Sequence, residues 1–379
     1  MRTNRTRYRA KRSGAGQAAK GACAIILLAL AIKFGIEAFR ADDRLPLPVR
    51  LSLMHELPEF DYSHEEELPL LSVREPPAAD LRTPFEPVGY INGGHEEYEA
   101  PPEEYRGAEG LPEELPIKPI SIIPASASGY LEAAENVLVK NDTKLDVDVS
   151  YLLGRGLPYG LTEKGAQVLI IHTHGSESYT AEGRDTYDPS SETNRSQDVE
   201  QNVVRVGREI ADIVRGAGIG VIHDTTMYDM ADFNRSYEAS LKGIQKHLKE
   251  NPSIKVVIDV HRDAMITAEG TKYKPVVRAA GADCAQIMLV MGTGQNGLSH
   301  EYWKENLKLA LRLQRTMNTD YPGLARPINL RNDRFNQHAT MGSMLVEVGS
   351  SGNTLEEAVN GARCFAWSLV KELNKIKKD

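Results

Sequence analysis

Apolar positions along this chain fall into two regimes. After about residue 165, short apolar runs alternate with stretches in which apolar residues recur every three or four positions. The runs 167–172 (QVLIIH), 219–223, 255–261 (KVVIDVH), 286–292 and 343–348 have the length and composition of buried strands. Between them, 199–215 sets Val203, Val206, Ile210 and Ile213 on one helical face, and Gly216 and Gly218 end that helix. Further helices are predicted over 236–248, 301–319 and 355–375. Strands alternating with helices predict an α/β fold, a mostly parallel sheet with helices on both faces, occupying 165–379. In such sheets chemistry gathers at the carboxyl ends of the strands.

The preceding residues follow no such rhythm. Positions 22–32 (ACAIILLALAI) form one apolar run, extended to 39 and interrupted by Lys33 and Glu37. Arg2, Arg5, Arg7, Arg9, Lys11, Arg12 and Lys20 precede it. A basic flank before roughly 20 mostly apolar residues is the pattern of a signal-anchor, and no A-x-A cleavage pattern stands near Phe39. The expected order is a basic cytoplasmic leader at 1–21, a transmembrane signal-anchor at 22–39, and export of everything after Arg40. Residues 40–129 are rich in Glu and Pro, with LPLP, REPPAAD and EAPPEE. That composition buries too little apolar surface to offset the entropy of ordering, which predicts a disordered or extended acidic arm. Within it, 115–123 (LPIKPISII) is compatible with extended backbone, and 130–164 is a segment that packs on the domain edge or binds a partner.

Charge and cysteine content narrow the classes. The net charge of -8 belongs largely to the arm, and no basic patch points to nucleic acid. Cys23, Cys284 and Cys364 lie far apart, outside any metal-ligand spacing, and read as small buried hydrophobes rather than a disulfide scaffold.

Candidate chemistry sits at the strand ends. The first strand runs into His172 and His174 (VLIIHTHGSESY), the third ends at His261 before Arg262 and Asp263 (VVIDVHRDA), and the last contains Glu347 (MLVEVGSSGN). On neighbouring strands these sites converge on one edge of the sheet. Two imidazoles and a carboxylate form a common catalytic zinc shell with a fourth position open. If Glu347 serves as base, the carboxylate comes from elsewhere, and Glu200 and Asp198 at the start of the first helix are candidates. His223 also ends a strand, whereas His247, His300 and His338 lack this convergence. H-E-x-x-H and Gly-rich phosphate loops are absent. Ser176 and Ser178 stand near His174, but no G-x-S-x-G elbow surrounds them.

These stretches, together with QNVVRVG, GIGVIHDTTMYD, NRSYEASL, YPGLARPI and the continuation SSGNTLEEA, span 168–358. They resemble the stage II sporulation protein P family, cell-wall hydrolases of endospore-forming bacteria that are similar in fold to zinc N-acetylmuramoyl-L-alanine amidases. The resemblance implies a first zinc ligand at His174, with His172, in the place of the amidase pattern's proline, as the alternative. It implies a second at Glu200, with Asp198 as alternative, a third at His261, and Glu347 as the catalytic glutamate of L-V-E-x-G-x-x-x-N, completed by Gly349 and Asn353. Arg262 and Asp263, typical of this family, would pair, orient His261 or grip a stem-peptide carboxylate. The resemblance further implies cleavage of the amide between the muramyl lactyl group and the first alanine, and an endopeptidase activity on cross-links. It places the hydrolase in spore engulfment, between the mother-cell and forespore membranes. There it would act beside stage II sporulation protein D and an integral-membrane partner, with peptidoglycan as substrate. The competing classes are a non-catalytic wall-binding or scaffolding protein and a different zinc peptidase on the same fold.

Overall fold

The computed structural model describes residues 114–122, 131–133, 137–162, 164–190, 194–267 and 269–378, with backbone alone for 131–133. The leader, the signal-anchor and the arm as far as residue 113 lie outside the described residues. Among those described, no helix is long and apolar enough to cross a membrane.

In chain order the strands are β1 (Leu115–Ile120), β2 (Leu131–Ala133), β3 (Val137–Asn141), β4 (Val168–Ile171), β5 (Thr186–Tyr187), β6 (Val221–His223), β7 (Val256–Asp263), β8 (Lys272–Ala279), β9 (Ala282–Ala285), β10 (Ile287–Gly292), β11 (Ile328–Arg331) and β12 (Gly342–Ser350). The helices are α1 (Val149–Leu153), α2 (Val203–Gly216), α3 (Ser236–Glu250), α4 (Trp303–Asp320) and α5 (Leu355–Asn374). The main sheet has the order β2-β3-β11-β10-β12-β7-β4-β6. Its pairings are parallel except β2–β3 and β10–β12, so the fold is mixed α/β with a mostly parallel sheet.

Alternation along the strands sorts their side chains onto two cores. Val168 and Ile170 of β4, Val256, Ile258 and Val260 of β7, and Met344, Val346 and Val348 of β12 join a large core with α2, α4 and α5. Leu169, Ile171 and Val257 point the other way, into a smaller core with Ile244 and Leu248 of α3. Helices therefore cover both faces, α3 packing on the second of these cores.

Three features depart from the periodicity reading. The first helix begins at Val203 rather than 199, because Asn202 is its cap and accepts a hydrogen bond from the Val204 N–H at 2.9 Å. Residues 198–202 form the turn before it. A small sheet, β5-β1-β8-β9, stands apart from the predicted alternation. Its hairpin between β8 and β9 turns on Ala280 and Gly281, both with positive φ (50° and 81°). The extended stretch in the arm is β1, whose alternate residues Leu115 and Ile117 are buried with Tyr187. Apart from these, β3, within the 130–164 segment, pairs in parallel with β11 near one end of the main sheet.

Candidate active site

The site lies where β4, β7 and β12 end, on the α3 face of the sheet. His261 and Glu347 are register partners on the adjacent parallel strands β7 and β12, and both are fully buried. The register shifts just beyond Glu347. There Gly349 takes a left-handed φ of 67°, and a Cβ on it would stand 2.5 Å from Asn353 Oδ1. That oxygen accepts a hydrogen bond from the Ser350 N–H at 2.9 Å. The Gly and Asn that complete the Glu347 motif thus shape the bulge that ends the strand.

The turn that follows β4 separates His172 from His174. His172 continues the series Val168, Ile170 and faces the large core, where its Nδ1 lies 3.1 Å from the Val260 carbonyl and its Nε2 lies 2.8 Å from His223 Nε2. The α2 helix passes so close that a Cβ on Gly207 would stand 2.5 Å from His172 Nε2. Burial pushes the His172 imidazole down to about 4, and that of His223 further still. His174, after the strand has turned, lies on the opposite face. Its Nε2 is 2.7 Å from the Ser236 hydroxyl at the start of α3, and its ring centroid is 5.9 Å from that of His261.

A carboxylate that periodicity did not single out completes the group. Glu177 is 3 % exposed, and its Oε2 makes no hydrogen bond but stands 3.9 Å from His261 Nδ1. Its backbone is held by the Val203 N–H, which donates to its carbonyl at 2.7 Å, and by a bridge to Arg195. Desolvation pushes the Glu177 carboxyl up to about 8, against the opposing charges of Arg262 and Arg195. The same burial drives His261 well below the ordinary imidazole range. At 3.9 Å the two are therefore a neutral pair rather than an ion pair in the metal-free protein. Asp259, two positions before His261 and on its face, places Oδ1 2.8 Å from His261 Nε2, and burial pushes it up to about 7.

The other sequence candidates lie elsewhere. Glu200 sits in the turn before α2 with its carboxylate 2.7 Å from Arg208 and 3.9 Å from Arg205, and Asp198 is exposed, accepting from the Glu200 N–H. Arg262 and Asp263 do not join their side chains. The Arg262 guanidinium donates to the Ser178 and Asn194 carbonyls, while Asp263 pairs with Arg326 at 2.7 Å. Aromatic side chains wall the site: Phe233 meets His174 edge-on at 4.1 Å, and Tyr237 lies 6.0 Å from His174 and 6.1 Å from Phe335.

Among the described residues, no group of three or more His, Cys, Asp or Glu is arranged to hold a metal as it stands. The donor chemistry nevertheless fits zinc. His174, His261 and Glu177 offer two imidazole nitrogens and a carboxylate in a water-poor setting, the borderline N/O set that zinc takes. Donors on one tetrahedral zinc stand about 3.3 Å apart for bonds of about 2.0 Å. The 3.9 Å between His261 Nδ1 and Glu177 Oε2 is within a side-chain adjustment of that.

Comparison with known proteins gives two kinds of likeness. Among solved structures, the CwlD amidase from Clostridioides difficile, in complex with the GerS lipoprotein, is 14 % identical, with a TM-score of 0.37 over 55 % of this chain and 98 % of that one. The N-acetylmuramoyl-L-alanine amidase AmiC2 of Nostoc punctiforme is 11 % identical, with a TM-score of 0.33 over 56 % and 97 %. In sequence, the stage II sporulation protein P of Bacillus subtilis (strain 168) is 27 % identical over 210 residues, 52 % of this chain and 49 % of that protein. The match thus spans about half the length of that curated relative. The family model for stage II sporulation protein P matches residues 120–369, which is most of the described structure. The chain belongs to the stage II sporulation protein P family.

Proposed function

We propose that this protein is a zinc-dependent peptidoglycan hydrolase that cleaves the amide between the muramyl lactyl group and the first alanine of the stem peptide. The observation that carries the reading is the convergence of His174, Glu177, His261 and Glu347 at the ends of adjacent strands, each no more than 3 % exposed. Family membership supports the choice of wall substrate and the setting in sporulation. His174, His261 and Glu177 would hold the metal, Glu177 standing in the place the sequence offered to Glu200 or Asp198. When bound, zinc supplies Lewis-acid polarisation of the scissile carbonyl and lowers the pKa of water.

The chain's own residues do the rest. Burial keeps the His261 imidazole neutral, so its nitrogen is available as a donor to a metal. Glu347, beside His261 on the next strand, accepts a proton from the attacking water on its carboxylate and delivers it to the leaving amine nitrogen. The aromatic wall of Phe233 and Tyr237 limits water around His174. The cross-link endopeptidase activity implied by the family would use the same side chains. The signal-anchor at 22–39 would hold the domain outside the cytoplasm at the cell membrane, in reach of stage II sporulation protein D and an integral-membrane partner.

The test is release of stem peptides from purified peptidoglycan, with zinc and with chelator, by the wild type and Glu347→Gln. Release that needs zinc and vanishes in the variant, with zinc still bound, is expected. Release that survives Glu347→Gln removes that residue from proton transfer. No release by zinc-loaded wild type favours a wall-binding or scaffolding role.

A further inference from the structure

Lys272 opens β8 and is fully buried, a place that a lysine takes only where its amine has partners. Its Nζ donates to Asn194 Oδ1 at 2.5 Å and stands 3.9 Å from the centroid of the Tyr187 ring. Asn194 holds left-handed backbone, with φ of 50°, a conformation that persists only where the surroundings impose it. Its carbonyl accepts from the Ser178 N–H at 3.1 Å and from the Arg262 guanidinium at 2.7 Å. On the other side of Glu177, the Ser196 N–H donates to the Ser176 carbonyl at 2.7 Å, and Arg195 bridges to Glu177 itself. Residues 194–196 therefore clasp the backbone on both sides of Glu177. The end of the arm reaches the same place. Ile117 of β1 is the register partner of Lys272, and Leu115 is that of Tyr187. In the order β5-β1-β8-β9, β1 thus joins the strand of Tyr187 to the strand of Lys272. Leu115, Ile117 and Tyr187 are buried together, and the Tyr187 hydroxyl donates to the Gly270 carbonyl at 2.6 Å.

We propose that Lys272 is a positioning residue for Glu177, acting through Asn194, and that strand β1 at the end of the acidic arm seats it by holding Tyr187 against its amine. Glu177 follows a turn and belongs to no strand or helix, so its backbone is placed by tethers of this kind. Without the Lys272 amine, Asn194 loses a restraint on its left-handed backbone, and the Ser178 N–H loses a fixed acceptor. The Glu177 carboxyl, 3.9 Å from His261 Nδ1, then loses its set distance from that ring. The last residues of the arm are on this account part of the hydrolase unit rather than of the spacer. The metal part of the inference rests on the zinc reading above; the restraint on the Glu177 backbone does not.

The experiment compares the full chain as wild type, Lys272→Met, Asn194→Gly and Leu115→Ala. Lys272→Met keeps an unbranched apolar stem without the amine. Asn194→Gly keeps the left-handed backbone and removes only the acceptor, so it decides the matter if Lys272→Met fails to fold. Hydrogen exchange of the metal-free protein reads the Ser178 and Ser196 amides, and competition with a chromophoric chelator reads zinc affinity. Expected in Lys272→Met and Asn194→Gly are exchange at those amides faster by about tenfold, with β7 and β12 unchanged, and zinc affinity lower by about 10–100-fold. Leu115→Ala should shift both in the same direction by a smaller factor. Wild-type exchange at Ser178 and Ser196 in Lys272→Met or Asn194→Gly overturns the proposal, whatever the change in stability, since Lys272 would then serve the small sheet alone. Faster exchange with unchanged zinc affinity also overturns it, because the metal site would not depend on the clasp. A Leu115→Ala protein with wild-type exchange and affinity overturns the part given to β1. A wild type that takes up no zinc, with faster exchange in the variants, upholds the positioning role and overturns the zinc reading.

Discussion

Replacing Glu177 by Gln should move two properties in opposite directions. In the metal-free protein the carboxyl is raised from 4.5 to about 8, chiefly by desolvation, so between those values the native state holds a proton that the unfolded chain has lost. Stability therefore falls as pH rises through that window, by up to about 1.4 kcal/mol per unit. The full span gives a ceiling of about 5 kcal/mol, and about 3 kcal/mol is reached at pH 7. Gln carries no charge to desolvate and escapes this penalty. The zinc-free variant should be at least as stable as the wild type at pH 5 and increasingly more stable towards pH 8.

Zinc binding should change in the other sense. Removing an anionic donor should weaken affinity by more than the roughly 10–100-fold that outer partners of a metal site cost. Urea unfolding of chelator-treated wild type and variant from pH 5 to 9 reads the first effect, and competition with a chromophoric chelator reads the second. A variant that is less stable at pH 8, or one that binds zinc as tightly as the wild type, would refute the argument. Either result would make Glu177 a structural carboxyl held by hydrogen bonds rather than a donor waiting for a cation.

His174→Ala and His172→Ala should part company. The first should abolish zinc uptake, whereas the second should retain it and instead lower stability by about 1–3 kcal/mol, because His223 loses its buried partner; metal titration and urea melts separate them. Gly207→Ala should destabilise by about 1–3 kcal/mol through overpacking, since its Cβ would stand 2.5 Å from the His172 ring and 2.8 Å from His223 Nε2. Acid should destabilise the fold through the same pair. His172 is depressed from 6.5 to about 4, so the unfolded chain binds a proton that the native state refuses, and stability present above pH 6.5 is lost as pH falls towards 4. A pH series of unfolding midpoints checks this, and His172→Gln should flatten it. Glu200→Ala should leave zinc binding and peptide release unchanged and cost below about 1 kcal/mol, since its partners Arg208 and Arg205 form a half-exposed ion-pair cluster.

What the sequence made legible follows the reach of its periodicities. The strand placement of His261 and Glu347 was readable because each lies inside a buried apolar run whose alternation continues through it. Alternation alone left His172 and His174 undivided, since 168, 170, 172 and 174 would share one face; the turn after β4, which has no period, is what parts them. Glu177 was harder. It lies just past a turn, where no period applies, and its approach to His261 is set by tethers from distant residues: Val203 to its carbonyl, Arg262 to Ser178, and Asn202 capping α2. Glu200 has the spacing of a first-turn residue if the helix starts at 199. Once Asn202 caps it, Glu200 falls outside the helix and turns to Arg208. Strands β3 and β11 are short and carry Lys140 and Asn329, so they left no hydrophobic period to read.

The two faces of the sheet also divide the histidines by chemistry. On the α2 face, His172 and His223 point their Nε2 atoms at each other, pressed against the space that Gly207 leaves, so neither presents that nitrogen to a ligand. On the α3 face, the neighbouring strand ends place His174 and His261 near a carboxyl that burial keeps protonated at neutral pH without a cation. Equal burial thus has unlike consequences. A neutral imidazole pair satisfies itself, whereas a buried carboxyl beside a buried imidazole gains most from a positive charge between them. It is on the second arrangement, with the buried Asp259 also beside His261, that the proposal of a metal site at this edge of the sheet rests.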